Sequence, residues 1–78
     1  MYKFKPGAYI IHKGQPKNNL LKIVRHKKDI INNFEYYELI NRDGRMSSVD
    51  VNTIDNFNFV LVDRISILLY WPTGQLSF

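Results

Sequence analysis

Phe34-Glu35-Tyr36-Tyr37-Glu38-Leu39-Ile40-Asn41-Arg42-Asp43-Gly44-Arg45-Met46-Ser47-Ser48-Val49-Asp50-Val51 is the stretch whose reading decides the fold. Phe34 to Asn41 alternates, with Tyr37 and Leu39 on one face and Tyr36 and Glu38 on the other. Met46 to Val51 is a second strand-like run, with Val49 and Val51 facing inward. Between them lies Arg42-Asp43-Gly44-Arg45, and Asp-Gly between two such runs predicts a tight hairpin because glycine takes positive φ without strain.

Toward the N-terminus the pattern repeats. Leu20 to His26 reads as a strand, with Leu21 and Ile23 on one face and Lys22 opposite. Lys27-Lys28-Asp29 opens a polar loop that closes near Asn32-Asn33. Ala8 to Lys13 is strand-like and ends at Gly14-Gln15-Pro16-Lys17-Asn18-Asn19, a dense turn signal. Toward the C-terminus, Asn52 to Asn56 is short enough for a single 3₁₀ turn. Phe57 to Val62 follows as a strand, apolar at nearly every position and so expected to be covered on both faces. Ile65 to Trp71 reads as another strand, Pro72-Thr73-Gly74 as a turn, and Gln75 to Phe78 as a short return strand. No helical stripe, internal repeat or low-complexity tract is apparent.

The expected fold class is therefore all-β, with no stable helix. A five-stranded closed barrel over residues 1–63, with a 3₁₀ turn before its last strand, is followed by an extra apolar C-terminal β-hairpin over residues 64–78. Closure is physically attractive because it removes most sheet edges from a domain too small to cover them otherwise. With 78 residues the chain is one small domain, burying about 60–65% of the surface its unfolded form exposes. The hairpin packs on the barrel or, through Ile67, Leu69, Tyr70 and Trp71, on a protein partner or a second copy of the chain as a homodimer.

The layout resembles the SH3-like barrels, including the Tudor and KOW groups, and most nearly the Tudor-like RNA-polymerase-interacting domain of CarD-type transcription regulators. The likeness lies in Phe4-Lys5-Pro6-Gly7 leading into Tyr9-Ile10-Ile11-His12-Lys13-Gly14, then Leu21-Lys22-Ile23, Ile30-Ile31 ahead of Tyr36-Tyr37-Glu38-Leu39, and Met46 with Val49 and Val51. It covers about residues 3–55. In place of the glycine pair usual in the first loop stands Gln15-Pro16-Lys17-Asn18-Asn19, which contains no aromatic residue, so the resemblance does not extend to an aromatic cage. It implies a non-enzymatic protein-binding module that engages a protein such as transcription machinery. The abundance of Asn, Ile, Lys, Tyr and Phe, with a single alanine, fits an AT-rich genome and a phage or mobile-element accessory protein.

Charge is unevenly placed. Residues 1–28 carry eight lysines and arginines and no acid, whereas residues 29–78 carry three against seven acids, leaving +4 overall. Such halves either form opposed faces or pair internally. If they segregate, Lys13, Lys17, Lys22, Arg25, Lys27 and Lys28 form a site for an acidic partner or, as the alternative function, for nucleic acid, with Tyr9 available to stack on a base.

Catalysis is not expected. With no cysteine, thiolate ligands, disulfides and a cysteine nucleophile are excluded. His12 and His26 lie on separate strands without metal-ligand spacing, Ser47-Ser48 lacks a nucleophile-elbow context, and Glu35 and Glu38 point to opposite strand faces. No cofactor and no metal are expected. The N-terminal residues do not read as a secretory signal and no run is long enough for a membrane helix, so the expected setting is cytoplasmic with no membrane partner.

Overall fold

The computed structural model describes residues 2–71. Five antiparallel strands form one sheet: β1 (Tyr9–His12), β2 (Leu21–Asp29), β3 (Phe34–Ile40), β4 (Met46–Asp50) and β5 (Phe59–Leu61), in the order β4-β3-β2-β1-β5. A 3₁₀ turn, η1 (Lys17–Asn19), joins β1 to β2, and two short helices, α1 (Val51–Asn56) and α2 (Arg64–Tyr70), flank β5. The protein is thus mostly β, as alternation predicts.

Three expectations are corrected. The sheet is open and not a closed barrel: β5 crosses over to pair with β1, leaving β4 and β5 as separate edges. The link before the last strand is a six-residue α-helix, not a 3₁₀ turn, because Val51 and Ile54, three apart, both find the inner face of the sheet. Ile65 to Trp71 is not half of a hairpin. Asp63 caps a helix there, its carboxylate accepting from the Ser66 amide at 3.0 Å and the Ser66 hydroxyl at 2.7 Å. The remainder of the expected hairpin, residues 72–78, lies outside the described residues. Smaller shifts follow the same logic. Lys27 and Lys28 belong to β2, and the strand expected over Phe57 to Val62 shortens to Phe59–Leu61, with Val60 and Leu61 exposed.

The Asp-Gly signal is borne out. Ile40 pairs with Met46, the Asn41 amide donates to the Arg45 carbonyl at 3.0 Å, and Gly44 sits at φ 85° in the left-handed region that an L side chain resists. Asn41 Oδ1 accepts from the Asp43 and Arg45 amides and sets the turn. The β2–β3 turn is built likewise: the Asp29 carboxylate accepts from the Ile31 and Asn32 amides and from Asn32 Nδ2, which holds its pKa below the usual value.

Because the sheet is open, each face needs its own cover. On the inner face Ile10, Ile23, Tyr37 and Leu39 pack with Val51 and Ile54 of α1 and with Phe4 of the N-terminal strap. Full burial of each such side chain contributes about 1.5–3 kcal/mol. On the outer face Ile11, Leu20, Val62 and Trp71 form a second cluster, with Tyr9, Ile40 and Ile67 against it.

The strap is fixed by hydrogen bonds as well as packing. The Phe4 amide donates to Tyr37 Oη at 3.0 Å, Tyr37 Oη donates to Asp55 Oδ1 at 2.8 Å, and the Lys3 amide donates to Asp55 Oδ2 at 3.2 Å. His26 Nε2 lies 2.6 Å from the Phe4 carbonyl, which can only accept, so the ring proton is assigned to Nε2. The Tyr2 ring stacks on His26 at 3.8 Å, nearly parallel. Burial, with Asp55 beside it, pushes the Tyr37 hydroxyl up to about 12.

Tyr37→Phe leaves the buried Phe4 amide without its acceptor and removes the donor to the half-buried Asp55 carboxylate, and is expected to lower unfolding free energy by about 1–3 kcal/mol. Since the folded-state pKa lies above the ordinary value of 10.0, the Tyr37 contribution is complete below pH 10 and is lost as pH rises toward about 12. Chemical denaturation at several pH values should show wild type and Tyr37→Phe converging over that window. A constant gap would contradict the assignment.

Candidate functional site

β2 carries most of the predicted basic residues, and its geometry decides where they point. In strict alternation Lys22 and Arg25 would face opposite sides. The β2–β3 register shifts between Ile23 and Arg25, so Val24 is an extra residue with no cross-strand partner. That bulge turns Lys22, Arg25 and Lys27 all to the outer face and sends His26 inward beside Tyr37. Lys22 Nζ lies 5.6 Å from the centre of the Tyr9 ring, and Lys27 Nζ lies 5.8 Å from that of Tyr36.

The basic and acidic parts of the sequence pair internally in part. Glu38, opposite Arg25 on β3, reaches Arg25 Nε at 3.4 Å and Lys27 Nζ at 3.5 Å. Lys17, on η1, reaches Asp63 at 3.6 Å. Lys28 lies opposite Glu35 in register, and Lys13 stands apart in the turn after β1. These exposed ion pairs stabilise little, but they divide the six-residue set and reduce its positive field.

The four predicted interface residues also separate. Trp71 is only 3% exposed, edge-on to the Tyr9 ring at 5.1 Å, and Ile67 packs against the same cluster. Leu69 and Tyr70 face outward. The exposed helix side includes Ile65 and Leu68, which the strand reading did not single out. Trp71 closes α2, its amide donating to the Ile67 carbonyl at 2.9 Å, while its shielded indole N–H finds no acceptor among the described residues.

Members of the two sets meet in one place. A groove of about 540 Å³ is lined by Lys22 and Arg25, by Trp71, and by Pro6, Gly7, Ile23, Val24, Ile40 and Met46. Its lining is mainly apolar, with two cations. The Val24 bulge, the strap at Pro6-Gly7 and the first residue of β4 each supply part of it, which is why spacing alone did not reveal it. A second cleft of about 390 Å³, between η1 and the β3–β4 turn, is lined by Asn18, Asn19, Leu20, Leu21, Asn41, Arg42 and Asp43.

His12 is exposed and meets the Phe59 ring edge-on, whereas His26 is committed to the strap. Among the described residues, no three His, Asp or Glu side chains are grouped to hold a metal ion, and no helix is long and apolar enough to cross a membrane. No protein-family model, curated protein or solved structure matches the chain.

Trp71 depends on α2, and α2 begins at a capped end. Bonds from the Ser66 hydroxyl and amide hold the Asp63 carboxyl below its ordinary pKa, with Lys17 adding to the effect. Asp63→Ala should fray the helix, expose the indole and red-shift its emission at neutral pH. The Asp63 contribution is present above the ordinary carboxyl pKa and lost as pH falls through the lowered one, so acid should red-shift the wild type toward the variant. Unchanged emission in Asp63→Ala would show that the outer cluster holds Trp71 without the cap.

Proposed function

We propose that this protein is a non-enzymatic protein-binding module whose groove between the β2 bulge, the start of β4 and Trp71 takes an apolar segment of a partner carrying an acidic residue. The observation that carries this reading is the convergence of Lys22 and Arg25 with an apolar lining of Ile23, Val24, Ile40, Met46 and Trp71 in a single groove of about 540 Å³. Apolar burial supplies affinity in such a site and a cation on its rim fixes the register of an acidic side chain. The resemblance to CarD-type domains supports a component of the transcription machinery as the partner.

Nucleic-acid binding is the second reading. It draws on Lys22 beside Tyr9 and Lys27 beside Tyr36, an alternation of cations and rings suited to a phosphate backbone with stacked bases. Glu38 weighs against it, since one carboxylate faces both Arg25 and Lys27 and would repel phosphate.

Two substitutions separate the readings. Met46→Glu alters the groove at the exposed start of a strand, and Lys27→Ala alters the basic face beyond it. Affinity capture from the source cell with a photo-crosslinker near residue 46 should retain a protein partner with the wild type and with Lys27→Ala. Met46→Glu should lose at least about tenfold, or about 1.4 kcal/mol. Mobility-shift assays at low salt should leave DNA and RNA unshifted. A low-salt shift that weakens with Lys27→Ala and persists with Met46→Glu would establish the second reading instead.

A further inference from the structure

The β5 edge has a property independent of the groove. The Val62 amide donates to the Tyr9 carbonyl at 2.9 Å, and the Lys13 amide donates to the Asn58 carbonyl at 2.9 Å. Between those bonds Val60 lies opposite Ile11. Antiparallel ladders alternate, so Val60 bonds inward to β1, while the N–H and C=O groups of Phe59 and Leu61 point away from it, along an edge that no other strand among the described residues pairs with. Edges left open are ordinarily guarded by shortness, a charge, a proline or a bulge. Phe59-Val60-Leu61 is short but carries no charge, proline or bulge, and Leu61 is 66% exposed and Val60 42%.

The geometry points to a second copy of this chain as the occupant: two β5 edges pair antiparallel about a two-fold axis at Val60, joining two five-stranded sheets into one. The parity fits self-pairing. With Val60 opposite its own counterpart, Phe59 lies opposite the other copy's Leu61, and both residues of that pair carry outward-directed groups. All four outward N–H groups and all four carbonyls then find partners, with no register slip. The exposed Leu61 side chain, on the Ile10 side of the sheet, comes beside the other copy's Phe59. Val60 meets Val60 on the opposite side in a non-hydrogen-bonded pair, where Cα atoms approach to about 4.5 Å. The strand itself brings no charge to the axis, so the +4 charge of each copy does not meet there.

Sedimentation and single-residue replacements at the axis test this on the full chain. The wild type should show a concentration-dependent monomer–dimer equilibrium, with the Phe59 and Leu61 amides gaining exchange protection as the dimer forms. Val60→Lys and Val60→Glu should each weaken association at least about tenfold. Their equimolar mixture should recover it, because opposite charges then face each other across the axis. The chain has no cysteine, so Val60→Cys adds a single thiol; at that spacing it should oxidise to a disulfide-linked dimer, whereas Met46→Cys should not. Circular dichroism confirms that each variant is folded.

A wild type that stays monomeric at high concentration would overturn the proposal, and protected Phe59 and Leu61 amides in that monomer would show that the edge is already taken within a single chain. A dimer that survives both charge variants would overturn it too, placing the interface elsewhere. Neither result bears on the groove, whose lining includes no residue of β5.

Discussion

The Tyr37 hydroxyl is the point on which the architecture depends. An open sheet of five short strands cannot bury its inner face by itself, and α1 is too short to cover it alone. The strap through Phe4 completes the cover, and a strap without regular structure must place its backbone groups somewhere. One buried phenol resolves this by accepting from the Phe4 amide and donating to Asp55 of α1. It thereby links the strap, the centre of β3 and the helix between β4 and β5. His26, from β2, binds the Phe4 carbonyl and takes up the other polar group of the same residue. The Phe4 amide, the Phe4 carbonyl and the Tyr37 hydroxyl thus all have partners, which is the condition under which buried polar groups specify one arrangement.

The same economy governs charge. A basic N-terminal part and an acidic C-terminal part can form opposed faces or pair internally, and β2 and β3, paired along most of their length, bring members of the two together. Glu38 faces both Arg25 and Lys27, and Asp63 caps α2 while reaching Lys17. Lys22 is left against the Tyr9 ring, beside the groove. The outer face is thus a weaker polyanion site than composition suggests, and its distinctive part is where cation and apolar lining meet.

Much of the fold was legible because side-chain alternation and turn chemistry are local. The β3–β4 hairpin follows from Asp43-Gly44 and the flanking pattern, and the inward set Ile23, Tyr37 and Leu39 follows from period two. Ile65-Ser66-Ile67-Leu68-Leu69-Tyr70-Trp71 misleads because a nearly unbroken apolar run has no period of its own. The discriminating signal was Asp63 with Ser66 three residues on, a helix-start pattern. Closure was not legible, since it depends on how far a whole sheet curls. The site was legible in its members and not in its assembly: Lys22, Arg25 and Trp71 are evident as residue types, but the Val24 bulge that brings Arg25 to the outer face leaves no mark in the pattern. The phenol of Tyr37 was legible as core, and its two hydrogen bonds were not.

The most direct measurement is native-state hydrogen exchange at the Phe4 amide. If the strap is part of the folded unit, this amide exchanges only through global unfolding, as slowly as the amides of Ile23 and Leu39 in the paired strands. If the strap merely lies on the sheet, Phe4 exchanges as fast as an open N-terminal segment while β2 and β3 stay protected, and the account of an open sheet covered by its own N-terminus fails.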